Sequence, residues 1–357
     1  MKIFHCDHCG NLAFFENTQC VQCGHLLAFL PDLMEIGSLE SGSAGADSVW
    51  RSPLAAARPG YRLCANYQQA QVCNWAIDAA DPQALCPSCQ LTRIIPDLDV
   101  AGHREAWYRL EAAKRRLVYT LMNLRLPIAP KHGNDNGLAF EFLADAADGT
   151  PPVMTGHEGG IITINLAEAD DAERERRRCA LGEPYRTLLG HVRHEVGHYY
   201  WNRLIEGTDR LDGFRALFGD ERSDYGEALQ RHYTGGPAPD WASRFVSAYA
   251  SAHAWEDWAE TWAHYLHITD TLETAAACGV SLRPRRRDEP SLARVPASAG
   301  TAAGTFDQLI ASWYPLTYVL NNLNRGLGVP DAYPFVLSPP AVEKLRFVHD
   351  TIARAGL

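Results

Sequence analysis

Eight cysteines crowd into the first 89 residues of this 357-residue chain, and no other feature restricts its N-terminal part so strongly. Cys6 and Cys9 form one Cys-x-x-Cys turn and Cys20 and Cys23 a second, with the apolar stretch NLAFFENT between them long enough for a short hairpin. Such a turn supplies two thiolates from one knuckle whose backbone amides face the sulfurs, and two knuckles complete a tetrahedral zinc site. The first four cysteines therefore read as a zinc ribbon. Cys64, Cys73, Cys86 and Cys89 make a second set in which only the last two form a knuckle, and the same chemistry makes it a second four-cysteine zinc site. In a reducing compartment such clusters hold metal rather than disulfides. His5, His8 and His25 stand nearby, but eight thiols already satisfy two sites, so these histidines read as surface groups. Cys179 and Cys278 stand alone and read as small buried hydrophobes.

The cysteines divide the chain into a zinc-ribbon region, 1–97, and a second domain, 98–357, with a Gly-, Ser- and Ala-rich flexible linker at about 37–60 inside the first. The chain begins MKIFHCDHCG where a secretory signal needs an apolar stretch, and no run approaches the roughly 18 apolar residues of a membrane span. A soluble, cytoplasmic protein without membrane contact is expected. Against 43 Asp and Glu stand 33 Lys and Arg, a net charge of −10 that argues against a nucleic-acid partner. Each four-thiolate zinc centre adds two further negative charges. The short RPRRR run at 283–287 reads as a solvated loop.

In the second domain, Trp107, Leu110, Leu117, Leu121 and Leu124 recur at helical spacing between His103 and Leu124, with basic residues on the opposite face. GLAFEFLAD and GGIITINLAEAD read as strands ending in acidic turns. EPYRTLLGHVRHEVGHYYWNRLI reads as a helix starting near Glu183 and Pro184, and the stretch from Asp240 to Leu272 as one or two more. The segment 281–304 reads as a mobile loop before a helical tail. Strands preceding helices predict an α+β fold.

His194-Glu195-Val196-Gly197-His198 puts two imidazoles about 6 Å apart along one helix face, where they can grip one metal ion, with Glu195 bordering that ion as general base. A catalytic zinc takes three protein ligands and keeps a fourth position open. In AWEDWAETWAHYLHI, Glu256 and Glu260 share a helix face between tryptophans; Glu256 is the candidate third ligand and Glu260 the acceptor for a ligand histidine. His191, His253, His264 and His267 compete with Glu256 as ligands. Tyr225, His232, Tyr233 and Tyr249 are the candidates to stabilise an oxyanion, and an extended substrate would pair with the strand from Ile161 to Leu166.

HEVGHYYW, the preceding EPYRTLLGH, TGHEGGIITINLAEADDAERE, WEDWAETWAHYLHI and the paired cysteine clusters resemble the bacterial zinc-binding metallopeptidases with an N-terminal zinc-ribbon domain. The HExxH helix followed by Glu-x-x-Ala-Glu is also similar to the gluzincin peptidases, of which thermolysin is the best known. The resemblance implies a zincin-like domain of gluzincin type and zinc-dependent hydrolysis of a peptide or protein substrate. It implies one catalytic zinc on His194, His198 and Glu256, Glu195 as base, Glu260 supporting a ligand, and two structural zincs. The competing expectation is a non-catalytic interaction protein whose ribbons recognise a partner and whose HEVGH site is closed by a fourth ligand such as His191 or His253.

Overall fold

The computed structural model describes residues 1–41, 49–55, 60–146, 151–181, 186–282 and 305–356. Strands β1 (Phe4–His5) and β2 (Leu12–Ala13) pair antiparallel, so the ladder closes around the first knuckle rather than within NLAFFENT. Five antiparallel strands follow in sheet order: β3 (Leu26–Leu30), β4 (Glu35–Ser41), β5 (Trp50–Arg51), β6 (Tyr61–Leu63) and β7 (Ala76–Asp78). The expected linker at 37–60 instead contributes β4 and β5 and a short 3-10 turn at Pro53–Ala55 in its described part, while 42–48 and 56–59 lie outside the described residues. Its small residues serve close approach: a Cβ on Gly37 would sit 2.6 Å from Ser52 Oγ and 2.7 Å from Leu30 Cδ1.

Strand β8 (Thr92–Ile94) leaves the cysteine-rich part to join a second sheet with β9 (Ala139–Leu143), β10 (Gly156–Glu158) and β11 (Ile161–Asn165), ordered β10-β11-β9-β8. β8 and β11 run parallel to β9, and β10 runs antiparallel to β11. Ile161–Asn165 is thus paired on both sides, which corrects the expectation that this strand receives the substrate; the edge of the sheet is β10. The three residues of β10 carry no apolar alternation. Their hairpin is set by Gly159 and Gly160, both at positive φ (53° and 83°), as a tight two-residue turn requires.

The helices are α1 (His103–Asn123), α2 (Asp171–Leu181), α3 (Leu188–Leu204), α4 (Leu211–Phe218), α5 (Tyr225–Gly235), α6 (Trp241–Arg244), α7 (Ala254–Ala277), α8 (Phe306–Gly326) and α9 (Pro339–Ala355). Thr187 caps α3 by accepting from the Gly190 amide; Glu183 and Pro184, expected at its start, lie outside the described residues, as do RPRRR and the rest of 283–304. α2 begins just beyond the acidic turn expected at 168–170, and the sequence, lacking an apolar stripe there, predicts no helix. Pairs one turn apart hold it, among them Glu173 with Arg177 and Glu175 with Arg178, both at 2.7 Å. No helix among the described residues is long and apolar enough to cross a membrane.

Beyond its first two turns α1 is buried nearly all round, which corrects the expected basic outer face in part: Arg104 and Arg109 are exposed, but Lys114 and Arg115 are not. The predicted apolar positions are buried, and so are Glu111, Lys114 and Arg115. Lys114 pairs with Glu111 at 2.9 Å, and Arg115 donates to the Val72 carbonyl. The reason is that α1 lies between the cysteine-rich part and α3. Tyr119 on α1 packs edge-on against Phe4, Phe15 and Phe29, with ring centroids 5.6–6.3 Å away, and its hydroxyl donates to Glu273 on α7 at 2.9 Å. Thr120 donates to Asp270 on α7, which also accepts from Arg193 on α3. One hydrophobic core runs from Phe4, Phe29 and Trp75 through Leu117 to Val196, Trp258 and Trp262, across the expected boundary at 97/98.

Candidate metal centres

The sulfurs of each cysteine set converge to within 4.8 Å of one another. Cys6 and Cys23 are 3.7 Å apart, Cys9 and Cys20 3.6 Å, and Cys73 and Cys86 3.7 Å. A disulfide needs about 2.0 Å. Four sulfurs each about 2.3 Å from one zinc lie about 3.8 Å apart along the edges of a tetrahedron, so both sets fit zinc. Backbone amides face these sulfurs: Cys89 N–H donates to Cys86 Sγ, and Cys86 N–H to Cys64 Sγ, both at 3.4 Å. In the second knuckle, the Cys23 amide, joined by that of Gln22, draws the Cys20 thiol down to about 6 against the effect of burial.

Arg115 lies buried beside the second set. Burial opposes its charge, but Cys73, Glu111, Cys89 and Cys86 hold its pKa above the ordinary value. A zinc held by four thiolates carries two negative charges, and this guanidinium partly balances them. Arg115→Met should therefore destabilise the chain by about 3–5 kcal/mol, the cost of leaving a buried charge without its partner. Denaturant unfolding measures it, and an unchanged midpoint would show that the centre needs no counter-charge.

His8 and His25 stack with ring centroids 3.7 Å apart and planes inclined by 25°, beside Glu40. Nearly parallel rings send their lone pairs in parallel directions rather than toward one ion. Cys179 and Cys278 are exposed, not buried as expected: the first lies on the charged face of α2 and the second caps α7.

The HEVGH motif occupies the middle of α3, which crosses α7 where Gly197 meets Ala259. A Cβ on Gly197 would stand 3.0 Å from Ala259 Cα and 3.2 Å from Trp262 Cβ, so only glycine lets the helices approach this closely. Trp258 Nε1 fixes the crossing by donating to the Gly197 carbonyl at 2.9 Å. That approach brings Glu256 to the two imidazoles. His194 Nε2 lies 3.2 Å from His198 Nε2 and 3.0 Å from Glu256 Oε2, and His198 Nε2 lies 3.6 Å from Glu256 Oε1. Donors about 2.0–2.1 Å from a tetrahedral zinc are about 3.3 Å apart, so this set also fits the ion. Glu256 is 1% exposed, and burial alone would neutralise it; His198 and His194 instead keep its pKa near 2, an ionised carboxylate ready to bind a cation.

Glu260 Oε1 lies 2.8 Å from His194 Nδ1, where it would hold a proton on that nitrogen and turn Nε2 toward a bound zinc, and Ser247 Oγ donates to Glu260 Oε2 at 2.6 Å. Glu195 is buried outside the ligand set, with Oε1 3.3 Å from His191 Nε2. The competing histidines are engaged elsewhere. His253 caps α7 by accepting from the Trp255 amide, His264 Nδ1 pairs with the Tyr333 hydroxyl at 2.6 Å, and His267 Nδ1 faces Arg193 at 2.6 Å. Among the described residues no fourth His, Cys, Asp or Glu joins His194, His198 and Glu256.

Of the four oxyanion candidates, Tyr225 and Tyr249 touch residues of this centre, and His232 and Tyr233 stand behind them. The Tyr225 hydroxyl donates to Glu256 Oε1 at 2.6 Å, and the Tyr249 ring lies 6.0 Å from that of His194. His232 touches both Tyr233 and Tyr249, at 5.8 and 5.7 Å between centroids. Sequence reasoning missed Ser247, Glu168, Trp255 and His157. The Trp255 ring lies 4.0 Å from that of His198, and His157 on edge strand β10 lies 6.2 Å from it. They bound a cleft of about 380 Å³ with Tyr199. His191 had a local signal as a partner of Glu195, one helical turn away; Glu168 and His157 arrive from the sheet and had none.

Comparison with known proteins agrees with this chemistry. A family model described as "Putative zinc-binding metallo-peptidase" matches residues 103–351, and a zinc-ribbon domain model matches residues 3–100. Proteins of Mycobacterium bovis and of two Mycobacterium tuberculosis strains, each named only as an uncharacterized protein, are 45% identical over 355 residues, which span 99% of this chain and 95% of theirs. No solved structure matches. A chain whose histidine pair, buried carboxylate and cysteine clusters all fit zinc, and which this model matches over most of its length, belongs to the zinc-binding metallopeptidase family that carries an N-terminal zinc-ribbon domain.

Proposed function

We propose that this protein is a zinc-dependent peptidase of gluzincin type, with one catalytic zinc on His194, His198 and Glu256 and two structural zincs on the eight clustered cysteines. The observation that carries the reading is the convergence of three donors with the buried Glu195 beside them and, among the described residues, no fourth His, Cys, Asp or Glu joining them. Zinc bound there supplies a Lewis acid that polarises the scissile carbonyl and acidifies the attacking water. Glu195 takes the proton of that water and returns it to the leaving amine. Tyr225 stands nearest the ligands of the four candidates, and its hydroxyl, which here donates its one proton to Glu256 Oε1, would stabilise the developing oxyanion by exchanging that bond for one to the oxyanion. The substrate strand pairs with the edge of β10, which brings it past His157 and Trp255.

Elemental analysis of protein purified without added metal should find three zinc ions per chain, and a screen against a broad peptide library should find cleavage. One zinc or none would remove the ribbon assignment. An inactive protein with three zincs would favour the interaction-protein reading instead. That reading draws support from the exposed Leu12, Phe14 and Val21 around the first cysteine centre, apolar groups that suit a protein partner. Eight reduced thiols also favour a cytoplasmic location.

A further inference from the structure

We propose that His191 and Glu168 are positioning residues for Glu195: they hold one oxygen of its carboxylate so that the other faces the reacting water. The proposal rests on the peptidase reading above. His191 precedes Glu195 by one turn on α3 and points the same way. Its Nε2 lies 3.3 Å from Glu195 Oε1, and its Nδ1 lies 2.6 Å from Glu168 Oε2. Glu168 sits in the short turn Leu166–Ala169 that ends β11 and is 1% exposed. Its second oxygen accepts from Thr155 Oγ1 at 2.7 Å, and Arg177 and Arg186 stand 3.8 and 3.9 Å away.

The pairing has a definite sign. An imidazole that donated only through Nδ1 to Glu168 would turn a lone pair toward the Glu195 oxygen and repel it. The contact is attractive when the ring carries both protons. Burial works against that charge, but Glu168, followed by Glu195, raises the His191 pKa to about 9, so the ring is an imidazolium at neutral pH. The His191 ring is held between the two carboxylates, and through it one oxygen of Glu195 is fixed, which limits the rotamers that a free glutamate would sample. Among the described residues, the other charged or titratable groups facing the three are Arg174 and Arg177 on α2, Arg186 before α3, and His194, His198, His157 and Tyr225 around Glu195. The clamp also ties the end of β11 to the HEVGH helix, so a purely structural role must be tested against it.

The test uses His191→Ala and Glu168→Gln in the full chain, each alone and in a Glu195→Gln background, with zinc content measured throughout. His191→Ala should lower kcat roughly 10- to 100-fold, as a misplaced reacting group does, with KM and zinc unchanged. Glu168→Gln should give a smaller loss in the same direction. Neither should change the residual rate of Glu195→Gln, because nothing is left to position. Equal losses in both backgrounds would mark a structural tether and overturn the proposal. A rise in kcat would overturn it too, since His191 would then be sequestering the base. If His191→Ala folds poorly, His191→Gln keeps a donor toward Glu168 without the charge and is read in the same way. Should the parent cleave no peptide, the peptidase reading fails and a spectrum decides the positional claim. With cobalt(II) exchanged into the HEVGH centre alone, Glu195→Gln alters the visible band and His191→Ala should reproduce part of that alteration. A His191→Ala spectrum identical to the parent's would overturn the proposal.

Discussion

Glu195→Gln should lower peptide hydrolysis by about two orders of magnitude or more while the chain keeps all three zinc ions. Glutamine has the size of glutamate and can still donate to a water, but it cannot take a proton from one. The side chain is 5% exposed, and burial alone would favour its neutral form. His191, His194 and His198 keep it below the ordinary carboxylate range, so an ionised base is available at neutral pH. A hundredfold loss corresponds to about 2.7 kcal/mol of transition-state stabilisation. Because the carboxylate lies outside the set of converging donors, metal content should not follow the rate. A Glu195→Gln protein that lost one zinc would instead make Glu195 a ligand and undo the assignment of base and ligand together.

Glu256→Ala should give the opposite metal outcome. The variant loses one zinc of three and with it all measurable hydrolysis, while the two cysteine centres remain loaded. The substitution removes an ionised carboxylate 3.0 Å from His194 Nε2 and 3.6 Å from His198 Nε2, and it leaves the Tyr225 hydroxyl without its acceptor. Two imidazoles alone hold zinc far less tightly than two imidazoles and a carboxylate. Zinc-to-protein ratios after dialysis against a mild chelator would read the difference directly. If Glu256→Ala kept three zincs and His264→Ala released one, the third ligand would lie about two turns further along α7 than assigned, although the Tyr333 hydroxyl already occupies His264 Nδ1.

The parts of this molecule legible in its sequence are those whose chemistry is local. Two cysteines three apart make a knuckle and two histidines four apart make a metal grip wherever a turn or a helix forms, so Cys20 with Cys23, and His194 with His198, could be read without knowing the fold. Glu256 required one long-range assumption, that its helix packs on α3, and the glycine inside the motif that permits the packing was in view. What failed was long-range. Nothing near Gly37 tells a linker from a strand whose small residues admit Ser52 and Leu30. Nothing in IITIN tells an edge strand from one covered by the three-residue β10. Lys114 and Arg115 carry charge on a helix that a periodicity argument turns toward solvent, and only the partners waiting on both sides reverse that. α2 escaped because ion pairs rather than an apolar stripe hold it.

The packing of Tyr119 gives the cysteine-rich lobe a mechanical role. A module that only recruits partners works best on a hinge, free to swing. Here the aromatic cluster of Phe4, Phe15 and Phe29 bears on Tyr119, Tyr119 bears on α7 through Glu273, and Asp270 on α7 bears on α3 through Arg193. The lobe is a buttress, and the cysteine centres are its rivets. Drawing zinc from them would loosen a wall against which the HEVGH helix is braced, so a shortage of the metal or oxidation of the thiols would reach the His194 and His198 centre by way of its foundations, before any ligand there has been touched.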